Sequence, residues 1–316
     1  MFMFHFIQRR KVYFGISGTL IVISLIAMLV STLTTGLPFG VGVDFRSGTR
    51  FEVQFSEPVT EQQIRSVFTE FDIPNPTVVN LIDEGLTNAW QIRTEFVTPE
   101  VAQEIENALG NELVPLLPET SLVESVSPTV GAEVSQAALI AVLFAAAIIL
   151  AYMAFAFRQV PHAWRYGACA VSAMFHDLII VFGFISITGL LFGWEVDALF
   201  VTAVLTVAGF SLQDTIVVFD RMRENLITRP FEYYEIIVNR SVLETVHRSL
   251  ATQLAAMLVL TALLFFGGPS VRSFIAVLLV GFLSGTYSSI FHAVPLLATW
   301  EMRQGEVETL AAAASS

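Results

Sequence analysis

Residues 198–220 read ALFVTAVLTVAGFSLQDTIVVFD, an apolar stretch with one charged residue, Asp214, in its interior. A helix that crosses the hydrocarbon core of a membrane needs about 20 predominantly apolar residues, and this stretch is long enough. A charged side chain at bilayer depth costs about 2.5–3.5 kcal/mol on insertion scales, so Asp214 is a candidate functional residue. The stretch therefore predicts a spanning helix that carries a carboxylate.

Apolar stretches of the same kind recur along the chain, which is 54% hydrophobic and only 14% charged. Soluble domains have about a quarter charged residues. We therefore predict a polytopic α-helical membrane protein. Its spanning helices are predicted at residues 13–33, 136–157, 166–194, 198–220, 249–266 and 272–300. Residues 1–12, 221–248 and 301–316 then lie outside the membrane on one side, and the middle of these segments is expected to be an amphipathic interfacial helix.

The charge pattern predicts how the chain is oriented. Arginines cluster in the segments before the first predicted helix, between the second and third, and between the fourth and fifth, which all fall on one side. Basic loops stay in the cytoplasm, so both termini are expected there and residues 34–135 on the periplasmic side. Asp44 to Glu133 holds 16 acidic residues against four arginines, so this segment carries the net charge of −12. Such an acidic chain is not expected to bind nucleic acid.

The segment 34–135 predicts a small α+β domain. Strands are indicated at Thr49–Phe55, Thr77–Ile82, Ala89–Phe96 and Ser121–Val126, and two helices begin after Thr60 and Thr98. The order βαββαβ is that of a ferredoxin-like fold. The segment has no metal-ligand cluster, no phosphate loop and no nucleophile with a base, so we expect a binding or mechanical module that needs no metal or cofactor, and not an enzyme.

Polar residues near Asp214 define a candidate proton pathway. Burial and a nearby guanidinium act on the proton affinity of a carboxylate in opposite directions, so a carboxylate beside Arg248 could take up and release a proton. A fixed structural network and a snorkelling Arg248 are the alternatives. Supporting polar residues are expected on the same two helices: Thr206, Ser211, Gln213, Thr245, Ser249 and Thr252.

His176 and Asp177 are adjacent near the middle of the third predicted helix. A histidine beside an aspartate could form a proton relay. The pair could equally form a helix–helix hydrogen bond, as buried polar residues in membranes often do.

Four motifs of the sequence resemble one family of transporters. Residues 209–224, GFSLQDTIVVFDRMRE, resemble the pattern GYSINDTVVVFDRIRE, and Gly42–Gly48, GVDFRSG, resembles G-[IV]-D-F-x-G-G with Ser47 at a position that is usually Gly. Asn239, Ser241, Thr245 and Arg248 match the element that opens the fifth helix, and the segments around Gly268 and Gly285 match the last two helices. The chain is thereby similar to the SecD/SecF family, part of the proton-driven resistance-nodulation-division class, and its short segment between the first two helices resembles the SecF branch.

The resemblance implies a function and partners. Asp214 and Arg248 match the proton-pathway residues of the family, and a SecD-like subunit would supply the other half of a twelve-helix complex in the bacterial inner membrane. That complex would use the proton-motive force to help a SecYEG-type translocon complete the export of preproteins, with YajC- and YidC-like proteins as possible further partners. Two alternatives remain open: half of a related exporter of lipids or hydrophobic small molecules, and a passive insertase scaffold.

Overall fold

A computed structural model describes residues 6–81, 87–118, 121–158, 162–229 and 231–303. The chain divides into two compact units. The helix unit comprises Met1–Pro38, Val142–Ile187 and Leu199–Ser316, and the sheet unit comprises Phe39–Ala141 and Thr188–Ala198. Most of the predicted tail 301–316 lies outside the described residues.

Six helices among the described residues are long and apolar enough to cross a membrane, which confirms the predicted fold class. In chain order, the helices are α1 (Arg10–Thr35), α2 (Val43–Arg46), α3 (Glu61–Glu70), α4 (Pro99–Ala108), α5 (Pro128–Ala156), α6 (Ala163–Phe192), α7 (Ala198–Thr228), α8 (Tyr234–Phe266) and α9 (Pro269–Ser288). After α9 the chain makes a π-helical turn, Ser289–Ala293, and the last spanning helix then continues to Arg303.

The predicted amphipathic helix within residues 221–248 is wrong. Helix α7 continues to Thr228 and α8 already begins at Tyr234, so the segment consists of two helix ends and a short connection. Ion pairs such as Arg221–Glu224 support the extension of α7 beyond its apolar stretch. Ile237, expected to face lipid, is buried, whereas Phe231 in the connection is fully exposed.

Close packing of α6, α7 and α9 forms the interior of the helix unit, while α5 is mostly exposed or half-buried. Small residues permit this packing. A Cβ atom at Gly281 would lie 2.1 Å from Cγ2 of Val207, so a larger residue would force α7 and α9 apart. The same pair of helices meets again where Gly285 faces Ser211, four residues further on.

The sheet unit has the predicted βαββαβ order. Its strands are β1 (Gly48–Gln54), β2 (Thr77–Asn80), β3 (Ala89–Thr94) and β4 (Leu122–Val126). All pair antiparallel in the order β2-β3-β1-β4. The alternating residues Phe51 and Val53 of β1 are buried against Ile64 and Phe68 of α3 and Ile105 of α4, because one face of the sheet and one stripe of each helix are apolar.

Some details of the sheet unit differ from the prediction. Thr60 forms the expected capping box with Gln63, but Thr98 makes no capping hydrogen bond although it precedes α4. Strands β1, β2 and β3 end one to two residues earlier than predicted, whereas β4 ends at Val126 as predicted and begins one residue later. The predicted end of the second strand, Ile82, lies outside the described residues. Gly110 does not end the second helix, because the chain continues as a π-helical turn that buries Leu109.

The connection between α6 and α7 belongs to the sheet unit, which the sequence did not indicate. The backbone N–H of Gly42 donates to Val196 O at 2.9 Å, and the N–H of Val196 donates to Gly40 O at 2.8 Å. These bonds form a parallel bridge between residues that are far apart in sequence. The predicted domain 34–135 is therefore extended by this connection and by the first turns of α5.

Candidate functional site

Asp214 lies on the buried side of α7, with 5% of its surface exposed. The side-chain amide of Gln253, on α8, donates to Asp214 Oδ2 at 2.9 Å. Ser249 is one turn before Gln253 and lies close to the carboxylate. Among the described residues, the Ser249 hydroxyl has no hydrogen-bond partner with a favourable distance and angle. The described surroundings of Asp214 thus provide one clear hydrogen-bond donor.

Arg248 does not lie beside Asp214. It is exposed, and among the described residues no ion pair joins the two side chains. Thr252 is also exposed and donates its hydroxyl to Arg248 O, whereas Thr245 and Ser249 are buried. Arg248 and Thr252 therefore point away from the buried Thr245 and Ser249, because successive residues of a helix differ in direction by about 100°.

The other predicted polar residues of α7 divide between the two sides of that helix. Gln213 is exposed, and Thr206 is half-buried with its hydroxyl bonded to Thr202 O. Ser211 points inward and donates to Asp177 at 2.5 Å. Helix α7 therefore presents polar groups both to the interior of the unit and to its outer surface.

Asp177 has a much richer environment than Asp214. It is 1% exposed and accepts hydrogen bonds from Ser211 on α7 and from Ser284 and Ser288 on α9, at 2.5–2.6 Å. His176 Nδ1 lies 3.1 Å from the other side of the same carboxylate. The predicted neighbours His176 and Asp177 thus contact each other, and they join three helices. Across the described ranges, no group of three or more His, Cys, Asp or Glu residues could hold a metal ion.

A third buried carboxylate, Glu195, lies in the α6–α7 connection outside the spanning helices. It pairs with Arg93 of β3, whose guanidinium also donates to Gly193 O at 3.1 Å. Burial raises the pKa of Glu195 even though Arg93 opposes that shift, and burial likewise lowers the pKa of Arg93. Both shifts favour the neutral forms, so the attraction of the pair does not fully offset the loss of hydration.

Asp44 links the start of the sheet unit to the start of α7. Its Oδ2 accepts a hydrogen bond from the backbone N–H of Ala198, the first residue of α7, at 2.9 Å. A carboxylate at this position satisfies a free N–H group and interacts favourably with the helix dipole. The aspartate of the GVDF motif therefore stabilises the N-terminus of the helix that carries Asp214.

Polar residues at the other end of α7 and α8 join these two helices. Asn225 donates to Ser241 at 3.0 Å and to Glu244 at 2.9 Å, and Glu244 also pairs with Arg221. Asn239 accepts from the backbone N–H of Ile7 at 3.1 Å. Asn239 and Ser241, which the sequence singled out as one motif, thus have structural contacts.

The sequence matches the model of the SecD/SecF protein export membrane protein C-terminal region over residues 106–303, and that of the SecD/SecF GG motif over residues 30–59. The chain belongs to the SecD/SecF family. Both family regions include residues described above: Asp177, Asp214 and Arg248 in the first, and Asp44 in the second.

Similar SecD/SecF proteins cover nearly the whole chain. A protein translocase subunit SecF of Thermobaculum terrenum is 42% identical over 88% of this chain and 90% of its own length. Another, of Anaerolinea thermophila, is 40% identical over 95% of this chain and 94% of its own length. A crystal structure of SecDF from Thermus, titled a translocon-associated membrane protein, matches with a TM-score of 0.78 and 28% identity over 94% of this chain. This chain spans 38% of that SecDF chain.

The SecD/SecF GG motif contains a strained residue in this chain. Ser47 stands at a position that is usually Gly in the family and adopts φ 62° and ψ 161°, a conformation that is almost restricted to Gly. Gly48 follows with φ 135°, and a Cβ atom there would lie 2.6 Å from Thr94 O. The second glycine of the motif is therefore sterically required, whereas the serine is tolerated at a cost.

Sequence reasoning missed the partners of both membrane carboxylates. Gln253 could have been found from helical spacing, because Thr245, Ser249 and Gln253 follow one another at intervals of four residues and are all buried. Ser284 and Ser288 share the same interval on α9. His292, interpreted from the sequence as an interfacial residue, is half-buried with its ring centroid 5.1 Å from that of His176.

Proposed function

We propose that this chain is the SecF-type subunit of an accessory complex of the Sec translocon, which uses the proton-motive force to promote late-stage protein export across the bacterial inner membrane. Asp214 and Arg248 are the proposed proton-pathway residues. The observation that carries this proposal is the buried Asp214 in a membrane helix of a SecD/SecF chain, with Gln253 as its one clear donor. One elementary charge that crosses 100 mV releases about 2.3 kcal/mol, enough to bias a two-state motion.

A route from Asp214 to the sheet unit supports a mechanical role. Helix α7 carries Asp214, and its first N–H group is bound by Asp44 of the sheet unit. The residues immediately before α7 bind the same unit through Val196 and Glu195. We propose that a displacement of α7 acts on the sheet unit through Ala198, the first residue of α7, which belongs to that unit, and that the sheet unit contacts the emerging preprotein.

A SecD-like partner is proposed from the outer surfaces of α7 and α8. Gln213, Arg248 and Thr252 are exposed there at or near the depth of the spanning helices. Polar groups that face lipid are costly, so helices of a second subunit are expected to cover them. The similar SecDF chain is more than twice as long as this one, which supports a twelve-helix assembly with the missing half supplied in trans.

The basic loops support an orientation with both termini in the cytoplasm and the sheet unit in the periplasm. Contacts with a SecYEG-type translocon and with YajC- and YidC-like proteins are proposed from the family alone. Purification of the tagged chain in mild detergent should recover a SecD-like protein and translocon subunits. Recovery of the chain without either would contradict the proposed assembly.

The test of proton coupling is Asp214→Asn, which keeps size and hydrogen bonding but removes the titratable group. In inverted membrane vesicles that contain the full complex, the variant should insert normally and lose the export that depends on an imposed proton gradient. Asp220→Asn is the matched control, because Asp220 is an exposed aspartate of the same helix and pairs with Arg223. This control should retain normal export.

Two results would contradict the proposal. Normal gradient-dependent export by Asp214→Asn would exclude Asp214 as the coupling residue and favour a passive insertase scaffold. If Asp214→Asn abolishes gradient-dependent transport of a lipid or hydrophobic small molecule but leaves protein export unchanged, the result would favour an exporter of those compounds.

A further inference from the structure

The hydrogen bonds around Asp177 use both oxygens of its carboxyl group. Oδ2 accepts from Ser211 and Ser288, and Oδ1 accepts from Ser284 and contacts His176 Nδ1. An ionised carboxylate offers about four acceptor positions, and here all are used. Both carboxylate oxygens are therefore surrounded by potential donors from three helices.

A buried carboxylate requires a compensating positive charge. The effective cost of burying an ion is several kcal/mol, and neutral hydroxyl groups offset it only in part. An ionised carboxylate can only accept, so His176 Nδ1 carries a hydrogen. His176 Nε2 is then the position where a second hydrogen would create an imidazolium ion directly beside Asp177.

His176 Nε2 has no hydrogen-bond partner within the described residues, and the residue is only 2% exposed. Nδ1 of His292 is buried and also without a partner there. The two rings are 5.1 Å apart between centroids and tilted by 31°. Two vacant ring nitrogens thus lie close to one buried anion.

The π-helical turn Ser289–Ala293 contains His292. Such turns add a residue to a helix locally and are frequent at functional sites. The Nε2 of His292 lies 3.1 Å from the hydroxyl of Ser172, and both residues are only partly buried. Ser172 therefore contacts His292, whose ring lies beside that of the buried His176.

Few other titratable groups face this cluster. From α9, Tyr287 stacks on His176 at 6.1 Å between centroids, and its hydroxyl donates to Tyr13 O of α1. Helix α1 also places Phe14 against His292. Helix α7 contributes Ser211, and the next titratable residue on that helix is Asp214, whose carboxylate is bound to Gln253.

We propose that His176 and His292 together bind one proton, which balances the charge of Asp177 and makes this cluster a second protonation site beside Asp214. A second proton is excluded because two imidazolium ions in contact would repel each other and exceed the single negative charge. The role of the site in coupling rests on the proposed function, whereas proton uptake by the site does not.

Proton uptake by the purified full chain in detergent tests the proposal. Between about pH 9 and about pH 4, the double variant His176→Gln, His292→Gln should bind about one proton fewer than the unaltered chain. The exposed His247 provides the calibration, since His247→Gln should also remove about one proton. A difference of zero or of two protons for the double variant would overturn the proposal.

Nuclear magnetic resonance of the unaltered chain, with ¹⁵N in the histidine rings, keeps the test valid if the double variant does not fold. Signals are assigned with single His→Gln variants. On acidification, the pair should gain one N–H in total. Two neutral rings throughout, or two imidazolium rings, would overturn the proposal. Asp214→Asn should leave this titration in place, so a failure of the proposed export function remains distinguishable from a failure of the histidine site.

Discussion

Asp177 and Asp214 are both buried carboxylates of neighbouring membrane helices, yet their surroundings differ. Asp177 accepts three hydroxyl hydrogen bonds and contacts an imidazole nitrogen. Asp214 accepts one amide hydrogen bond, with the Ser249 hydroxyl nearby. Both residues are buried, with 1% of the surface of Asp177 and 5% of that of Asp214 exposed. Burial alone therefore does not distinguish the two carboxylates, whereas the number of their hydrogen-bond donors does.

This difference assigns different roles to the two residues. The donors of Asp177 come from α7 and α9 and connect these helices to α6, so its charge is part of the packing. Asp214 accepts one clear hydrogen bond from the described residues and lies on α7, whose first residue, Ala198, belongs to the sheet unit. We therefore expect Asp177 to determine stability and Asp214 to determine coupling.

The largest expected effect on stability is that of Asp177→Asn. The new amide NH₂ would face hydroxyl groups that now donate to a carboxylate oxygen, and each unsatisfied buried group costs about 1–3 kcal/mol. The variant should lose about 3 kcal/mol of unfolding free energy, and the midpoint of thermal unfolding in detergent should fall accordingly. Asp214→Asn, whose Oδ1 can still accept from Gln253, should change stability by less than about 1 kcal/mol. Equal losses for both variants would remove the distinction between the two sites.

Glu195 extends the comparison to a carboxylate outside the spanning helices, which is paired with a guanidinium. Its pKa in the folded chain is raised by burial, so the folded chain binds this proton more readily than the unfolded chain does. Its contribution therefore favours folding at low pH and declines as pH rises above the unfolded value of 4.5 towards the folded pKa. We expect thermal unfolding of Glu195→Gln to lack this decline. An identical pH dependence in the variant and the unaltered chain would contradict the assignment.

A double-mutant cycle of Asp214→Asn and Arg248→Met measures whether these two residues interact, in the isolated chain and in the complex with the proposed partner. In the isolated chain the two residues make no contact, so their effects on stability should add within about 0.5 kcal/mol. In the assembled complex, where we propose that a SecD-like subunit covers Arg248, we expect a coupling energy of about 1 kcal/mol. Strong coupling in the isolated chain would mean that Arg248 reaches Asp214 without a partner. Additive effects in both preparations would show that the two residues act independently.

The smallest expected effect is that of Ser47→Gly. It restores the usual residue of the GG motif at a position with φ 62°, where a side chain is strained by about 1–3 kcal/mol. Glycine also increases the entropy of the unfolded chain, so the net gain should be about 1 kcal/mol. The midpoint of thermal unfolding should rise, with export unchanged. Ser127→Gly is a control that should give no gain, because Ser127 is half-buried before α5 and its hydroxyl accepts from the N–H of Val130 at 3.4 Å.

The sequence predicted the helices, the βαββαβ order and the buried faces of the strands, because each follows from a local apolar period. It did not predict which polar side chains meet across helices. The rotation of α8 turns Gln253 towards Asp214 and Arg248 outward, and this rotation is determined by packing over the whole helix. The attachment of Val196 to the sheet unit also depends on contacts between distant segments, for which no local pattern exists.

The most direct test of Asp214 as the proton-binding carboxyl group is infrared difference spectroscopy of the purified complex across a pH titration. This measurement detects the C=O stretch of a protonated carboxyl group in a dry environment. If Asp214 takes up the proton, the unaltered complex should show such a band on acidification, Asp214→Asn should abolish it, and Asp177→Asn should retain it. A band that persists in Asp214→Asn and disappears in Asp177→Asn would contradict this assignment, because Asp177, with its four partners, would then be the residue that takes up the proton.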